Sequence, residues 1–270
     1  VLIPAFLAAY TQQDARTIDL DVFKVMPRVN WQVSYDGLSK VPLFEELFES
    51  FQVTHGYQST LTVNSYNTGM DFLRTGGGIN DLNGNFYARL EIPQIAIQEA
   101  FSPLLAVSAR LKNGMSLNVD YKKARALSMS FVSNQLSETQ TKEIVIGFGY
   151  LVNNVNIGIF GGNSRGSSAP RPGSSAPRTG GGQMRTRDLD INFDFSLRDD
   201  VTFNHLLDQN IIEPTRGNYA LTMAPSAEYQ INERLALRLF FNYRRNVPKT
   251  SAGFPRTDTA GGVIVRFKLQ

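Results

Sequence analysis

Along most of the chain, apolar and polar side chains alternate one for one, the period of a β-strand with two unlike faces. In "RLALRLFFNYRR" (234–245), Leu235, Leu237, Leu239, Phe241 and Tyr243 share one parity. Arg234, Ala236, Arg238, Phe240, Asn242 and Arg244 share the other. The same alternation links Phe51, Val53, Tyr57, Leu61 and Val63, and then Leu117, Val119, Tyr121, Leu127, Met129 and Phe131. Leu189, Ile191, Phe193, Phe195 and Leu197 stand opposite Asp188, Asp190, Asn192, Asp194 and Ser196. Tyr219, Leu221, Met223, Tyr229 and Ile231 continue the pattern. The C-terminal segment sets Val263, Val265, Phe267 and Leu269 against Ile264, Arg266, Lys268 and Gln270. Segment by segment, about eleven strands are predicted.

The connections carry a second pattern. "KNG" (112–114), "RDD" (198–200) and "NER" (232–234) read as tight hairpin turns. Long polar connections are predicted over 67–84, 153–185, 209–217 and 246–259. Their alternation suggests a β-meander crossing a slab, with short turns on one side and long loops on the other. Two segments break the rhythm. "VPLFEELFES" (41–50) has helical spacing after a proline and predicts a short amphipathic helix. Residues 161–183, with their GSSAPR repeat and almost no apolar side chain, predict a disordered loop tip. Residues 1–26, containing "IPAFLAAY", read as a connector, a surface cap or a lumenal segment with a short helix, and 27–270 as the meander.

Alternation alone fits a soluble β fold with its apolar parity inside, or a transmembrane barrel with that parity toward lipid. Segments such as 115–131 and 186–197 exceed the soluble mode of about 5–6 residues and reach the roughly 9–11 of a membrane-crossing strand. Aromatic side chains also collect near the segment ends: Tyr121 and Phe131, Tyr219 and Tyr229, Phe241 and Tyr243. The expectation is therefore all-β: an antiparallel transmembrane segment of a much larger single-chain barrel. An odd strand count cannot close antiparallel, so the sheet's ends are expected to pair with strands elsewhere in that barrel. Leu235, Leu237, Leu239, Phe241, Val263, Val265 and Phe267 are the lipid-facing candidates. Asp190, Asp194, Arg238, Asn242, Arg266 and Lys268 are the lumen-facing ones, a wall of mixed charge.

Composition narrows the chemistry. A net charge of +3 over 270 residues does not suggest nucleic acid as a partner. With no cysteine, neither a disulfide framework nor a thiolate zinc site is available. No run approaches the 18 or so apolar residues of a transmembrane helix. The opening "VLIPAFLAAY" lacks the basic region of a signal peptide and an initiator Met, so the chain is expected to begin mid-protein. His55 and His205 are the obvious general bases, His205 near Asp199, Asp200 and Asp208 in sequence. No serine sits in a nucleophile elbow, and "GGG" (76–78) and "GGNSRG" (161–166) lack the lysine and setting of a phosphate loop. The expectation is no enzymatic activity, no cofactor and no metal.

Several stretches together resemble the C-terminal region of the SprA/Sov family, the giant outer-membrane translocons of the type IX secretion system in Bacteroidota. They are "NWQVSYDGLSKVPLFEELF" (30–48), "THGYQSTLTVNSYNT" (54–68), "NFYARLEIPQIAIQEAFSPL" (85–104), "ARLKNGMSLNVDYKK" (109–123), "IGFGY" (146–150), "FDFSLRDDVTFNH" (193–205), "EPTRG" (213–217), "NERLALRLFFNY" (232–243) and "GGVIVRF" (261–267). The resemblance implies a protein-conducting barrel in the cell outer membrane. It would pass folded cargo with a C-terminal secretion signal to the cell surface, a family role connected with gliding motility. Implied partners are the rest of the same barrel, secreted cargo, a plug protein, a lipid-binding shuttle barrel, periplasmic factors and membrane lipid. The GSSAPR repeat matches no motif of the family. "GGVIVRFKLQ" also resembles the C-terminal assembly signal of outer-membrane barrels, with Gly262 and Phe267 as its candidates, although Phe267 is not the last residue. The alternative reading is a complete small outer-membrane barrel acting as a porin or a transporter of hydrophobic compounds. A third is an outer-membrane hydrolase using His205.

Overall fold

The period-two segments join into one long antiparallel sheet. The computed structural model describes residues 2–14, 16–18, 21–24, 28–76, 87–153, 155, 188–232, 234–251 and 253–268. Among the described residues there are eleven strands. They are β1 (Trp31–Tyr35), β2 (Phe48–Val63), β3 (Asn67–Thr68), β4 (Leu90–Glu91), β5 (Gln94–Leu111), β6 (Met115–Ser130), β7 (Gln135–Val152), β8 (Leu189–Leu206), β9 (Ile211–Asn232), β10 (Leu235–Pro248) and β11 (Arg256–Phe267). Nine form the main sheet, in the order β1-β2-β5-β6-β7-β8-β9-β10-β11, and β3 and β4 pair separately. Among the described residues β1 pairs only with β2 and β11 only with β10, so these strands leave both edges open.

Several sequence expectations need correcting. "RDD" is not a turn: β8 runs through it, with Asp199 opposite Lys142 and Asp200 opposite Thr141. Ladder pairing with β7 on one side and β9 on the other holds this stretch extended, where a local reading sees only turn-forming residues. Residues 211–217 are the start of β9, so the β8–β9 turn is confined to 207–210. The β10–β11 loop likewise shrinks to 249–255. Nor are connections sorted by length. The short 112–114 turn shares its end of the sheet with the long 153–188 connection, and the short 131–134 turn lies at the end that also carries 64–93. The expected loop 161–183 lies outside the described residues.

Helices are few and peripheral. The segment 41–50 gives α2 (Pro42–Leu47), with Pro42 in the first turn, where its missing N–H is harmless. Phe48, Glu49 and Ser50 join β2 instead, and Phe48 packs with Phe44 and Phe51. A third short helix follows Gly69 at 70–75. Near the N-terminus α1 (Leu2–Thr11) lies across the strands at the end away from the 112–114 turn. Leu7 and Ala8 pack with Ile18, Val22, Ile92 and Ile95, while Tyr10 packs with Ile97 and Leu127. Leu61 of β2 and Leu136 of β7 flank the same contact. Among the described residues no helix is long and apolar enough to cross a membrane, which says nothing of strands.

Candidate functional site: two faces and a charged boundary

Residues directly opposite in neighbouring strands point to the same side of a sheet. The register therefore assembles the separate parities into two continuous faces. Leu117, Phe148, Phe193 and Pro225 form one cross-strand row from β6 to β9. Leu237 lies between Tyr229 and Val265, and Leu239 between Ala227 and Val263. Every apolar candidate, Leu235, Leu237, Leu239, Phe241, Val263, Val265 and Phe267, falls on this one face. Together with its neighbours it makes a belt covering Met115–Tyr121, Ile144–Val152, Leu189–Leu197 and Tyr219–Tyr229 in alternate residues.

Little in the described chain covers the belt: Tyr229, whose hydroxyl donates to the Val155 carbonyl at 3.0 Å, is buried, but most of the rest is not. Leu239 is 51% exposed and Val265 63%, and Leu105, Phe241, Val263 and Phe267 are exposed too. The buried clusters instead gather where α1 lies, at the far end of the same face. A sheet in water would turn such a belt onto a core, because contiguous apolar patches of this extent are rare on soluble monomers.

The opposite face is mainly small and polar, with Val145, Leu151, Phe240 and Ile264 as larger apolar exceptions. Asp190, Asn192, Asp194 and Ser196 occupy it on β8. Arg238 lies opposite Glu228, and Asn242 opposite Ala260. Arg266 donates to Glu228 at 3.2 and 3.3 Å, and Arg198 donates to Asp200 at 2.8 Å. Lys268 lies just past β11, its amide bonded to the Arg234 carbonyl at 2.9 Å. Gly147 and Gly149 keep the face shallow on β7, between Asn118 and Asp194 and between Ser116 and Asn192. The two assembly-signal candidates part company: Phe267 is on the apolar face, and Gly262 is on the polar one beneath the Phe240 ring. A β-carbon on Gly262 would stand 3.1 Å from that ring.

Beyond Tyr121, Ile144 and Leu197 the apolar face changes character abruptly. The next row holds Phe101, Lys123, Lys142 and Asp199, and the row after it Glu99, Arg125, Gln140 and Val201. Glu99 accepts from Tyr57 at 2.7 Å and pairs with Arg28 at 3.2 Å. Glu138, one row further, is nearly buried and accepts from Arg125 at 2.9 Å and Gln140 at 2.8 Å, with His205 Nε2 at 3.2 Å. Burial pushes its carboxyl up, but the bond from Gln140 and the charge and bond of Arg125, with His205 behind them, outweigh burial and hold it below the usual range.

The carboxylates expected around His205 therefore do not gather there. Asp199 pairs with Lys249, Asp200 accepts from Arg198, and Asp208 accepts from Asn134. His205 meets Glu138 instead, a partner 67 residues away that no local motif announces. His55 has its Nδ1 on the Leu104 carbonyl at 2.6 Å and its ring near Trp31 and Phe101. Among the described residues no group of three acidic or histidine side chains is placed to hold a metal ion.

No protein-family profile matches the chain, and no curated protein matches it by sequence.

Proposed function

We propose that this chain is one arc of a transmembrane β-barrel, with the belt against lipid and the polar face toward a hydrated interior. The observation that carries the reading is the belt itself: continuous over the sheet, apolar and largely uncovered, backed by a face of mainly small, polar and charged side chains. Its dimensions agree. Tyr219 to Tyr229 on β9 is ten steps, about 34 Å along the strand. A tilt of about 40° reduces that to roughly 26 Å of height, against an outward apolar band of about 25 Å in outer-membrane barrels. Phe267, Val265 and Val263 are the lipid contacts of an edge strand, and α1 lies outside the wall, beyond the belt.

Within that reading the chain serves a protein-conducting outer-membrane translocon, with no chemistry of its own. Two features support this. Each edge needs a further strand, because unpaired backbone groups in hydrocarbon are costly. The mixed charges of the polar face also offer a passing protein no continuous sticky patch. The particular secretion system rests on the sequence resemblance alone.

The absence of native cysteine makes the test direct within this chain. Single cysteines at Asp194 and Asn242 should react with a membrane-impermeant maleimide in intact outer membranes whose lumen is open to water. Cysteines at Leu237 and Val265 should react only after detergent. Equal reaction at both faces would end the transmembrane reading. The native mass of the species carrying residues 161–183 then separates the two barrels: a species many times larger than this chain supports the translocon, and one of this chain's own size a small closed barrel.

A further inference from the structure

The edge of the belt holds a charge imbalance that the described residues do not resolve among themselves. Lys123 and Lys142 are direct cross-strand partners on β6 and β7, one row past Tyr121 and Ile144. Like charges so placed repel, and like-charged pairs directly opposite are destabilising. Both side chains are exposed, and neither makes an ion pair among the described residues. The one carboxylate in their row, Asp199, is taken by Lys249. Arg245 follows on β10, exposed and likewise without an ion pair among the described residues.

These cations track the boundary rather than a single ladder row. On β8 the apolar run ends at Leu197, on β10 at Tyr243, and on β11 it begins only at Val263. The limit is level from β6 to β8, where Tyr121, Ile144 and Leu197 share a row, reaches one row further at Tyr219 on β9, and recedes on β10 and β11. Arg245, two residues past Tyr243, stands just outside the receded limit. From β6 to β10 the group spans four inter-strand steps, about 19 Å. Four cations, Lys123, Lys142, Arg245 and Lys249, stand against the single carboxylate of Asp199. At the opposite end of the belt the same face carries, among the described strand residues, Met115, Val152, Leu189, Tyr229, Leu235 and Phe267, and no cation.

On β9 and β10, beside Arg245 and Lys249, lies a depression of about 450 Å³ lined by Tyr219, Leu221, Arg245, Val247 and Lys249. Leu221 and Arg245 form its belt-side row, Tyr219 and Val247 the next, and Lys249 its far end, so apolar and cationic groups meet in it as they do where an acyl chain joins a charged headgroup.

We propose that Lys123 and Lys142 hold the phosphate group of an anionic membrane lipid whose acyl chains lie along the belt, and that Arg245, three strands away, draws a second such headgroup to the same boundary. The inference rests on the transmembrane reading. Ammonium and guanidinium groups at a membrane surface attract lipid phosphate, and an exposed row of unpaired ones at the edge of an apolar belt is complementary to it.

The test reconstitutes the full-length native protein in phosphatidylcholine nanodiscs doped with phosphatidylglycerol or with a lipid A phosphomonoester. Bound lipid is counted by native mass spectrometry. Enrichment of either anionic lipid over phosphatidylcholine is expected, weakening as salt rises. Lys123→Gln with Lys142→Gln should lower that enrichment on the order of tenfold. Arg245→Gln alone should lower it less, and Lys122→Gln, on the same strand but the polar face, should leave it unchanged. No enrichment in the wild type, or enrichment that survives the double change, overturns the inference. So does equal retention of inorganic phosphate, supplied without anionic lipid and lost in the same double variant, which would mean an anion site without a lipid. Incorporation into nanodiscs is scored separately: a protein that fails to enter them refutes the transmembrane reading, whereas one that enters without lipid preference refutes only this inference.

Discussion

Leu239→Arg separates a lipid-facing belt from a wet one more sharply than any other single change. Leu239 sits midway along the apolar run of β10 from Leu235 to Tyr243, flanked by Ala227 and Val263 on the same face. Within this chain it is already half exposed, and no described side chain would clash with a longer one. If water met that face, an exposed substitution of this kind would change stability by only about ±0.5 kcal/mol. If hydrocarbon meets it, arginine near the bilayer midplane costs about 2–4 kcal/mol. That is roughly a 30- to 700-fold change in the folding equilibrium. The full-length protein in phospholipid vesicles, unfolded with denaturant, reads the difference directly. Asn242→Arg, three residues on and on the polar face, should shift stability by no more than about 0.5 kcal/mol. Phe267→Arg, at the end of the belt, should fall between the two, because the penalty fades to about 0–1 kcal/mol near the interface. Equal tolerance at Leu239 and Asn242 would refute the assignment of faces.

Other outcomes follow from the same geometry. The Glu138 carboxyl, held below its ordinary value near 4.5, contributes stability that is present above that value. That stability is lost as pH falls through the lower folded value, so acid titration of unfolding should steepen below about pH 4.5 in the wild type. Glu138→Gln should flatten that part of the profile. Leu7→Ala empties a fully buried site under α1 and should weaken docking of the helix by about 2–5 kcal/mol. Limited proteolysis between α1 and β1 should accelerate while the unfolding midpoint of the sheet barely moves. Gly262→Val would press a side chain against the Phe240 ring and should cost about 1–3 kcal/mol; Gly262→Val with Phe240→Ala should recover part of that loss.

Strand parity was readable because it depends only on neighbours two apart. Leu117, Val119 and Tyr121, or Leu235 through Tyr243, lie on one face in the structure as in the pattern. Strand ends were less readable. Asp199 and Asp200 look like turn residues to any local reading, yet each is held in β8 by a partner from another part of the chain. The charged rows past the belt were invisible for the same reason. Lys123 and Lys142 are 19 residues apart, and only the hairpin register sets them face to face. The seat of α1 was equally hidden: its apolar composition says that it must be covered, but not by which strands. Glu138 next to His205 belongs to the same class of long-range fact.

The seat of α1 also bears on how the sheet resists force. Leu7 and Tyr10 grip side chains from β2, β5, β6 and β7, so a single rigid rod is laid across four adjacent strands. Within that panel, sliding one strand past the next must also break side-chain packing. From β9 to β11 the described chain has no such crossbar, and the strands are joined edge to edge by their ladders. Stiffness is therefore graded along the sheet. Bending or shear concentrates toward β11, and the N-terminal panel moves as one plate.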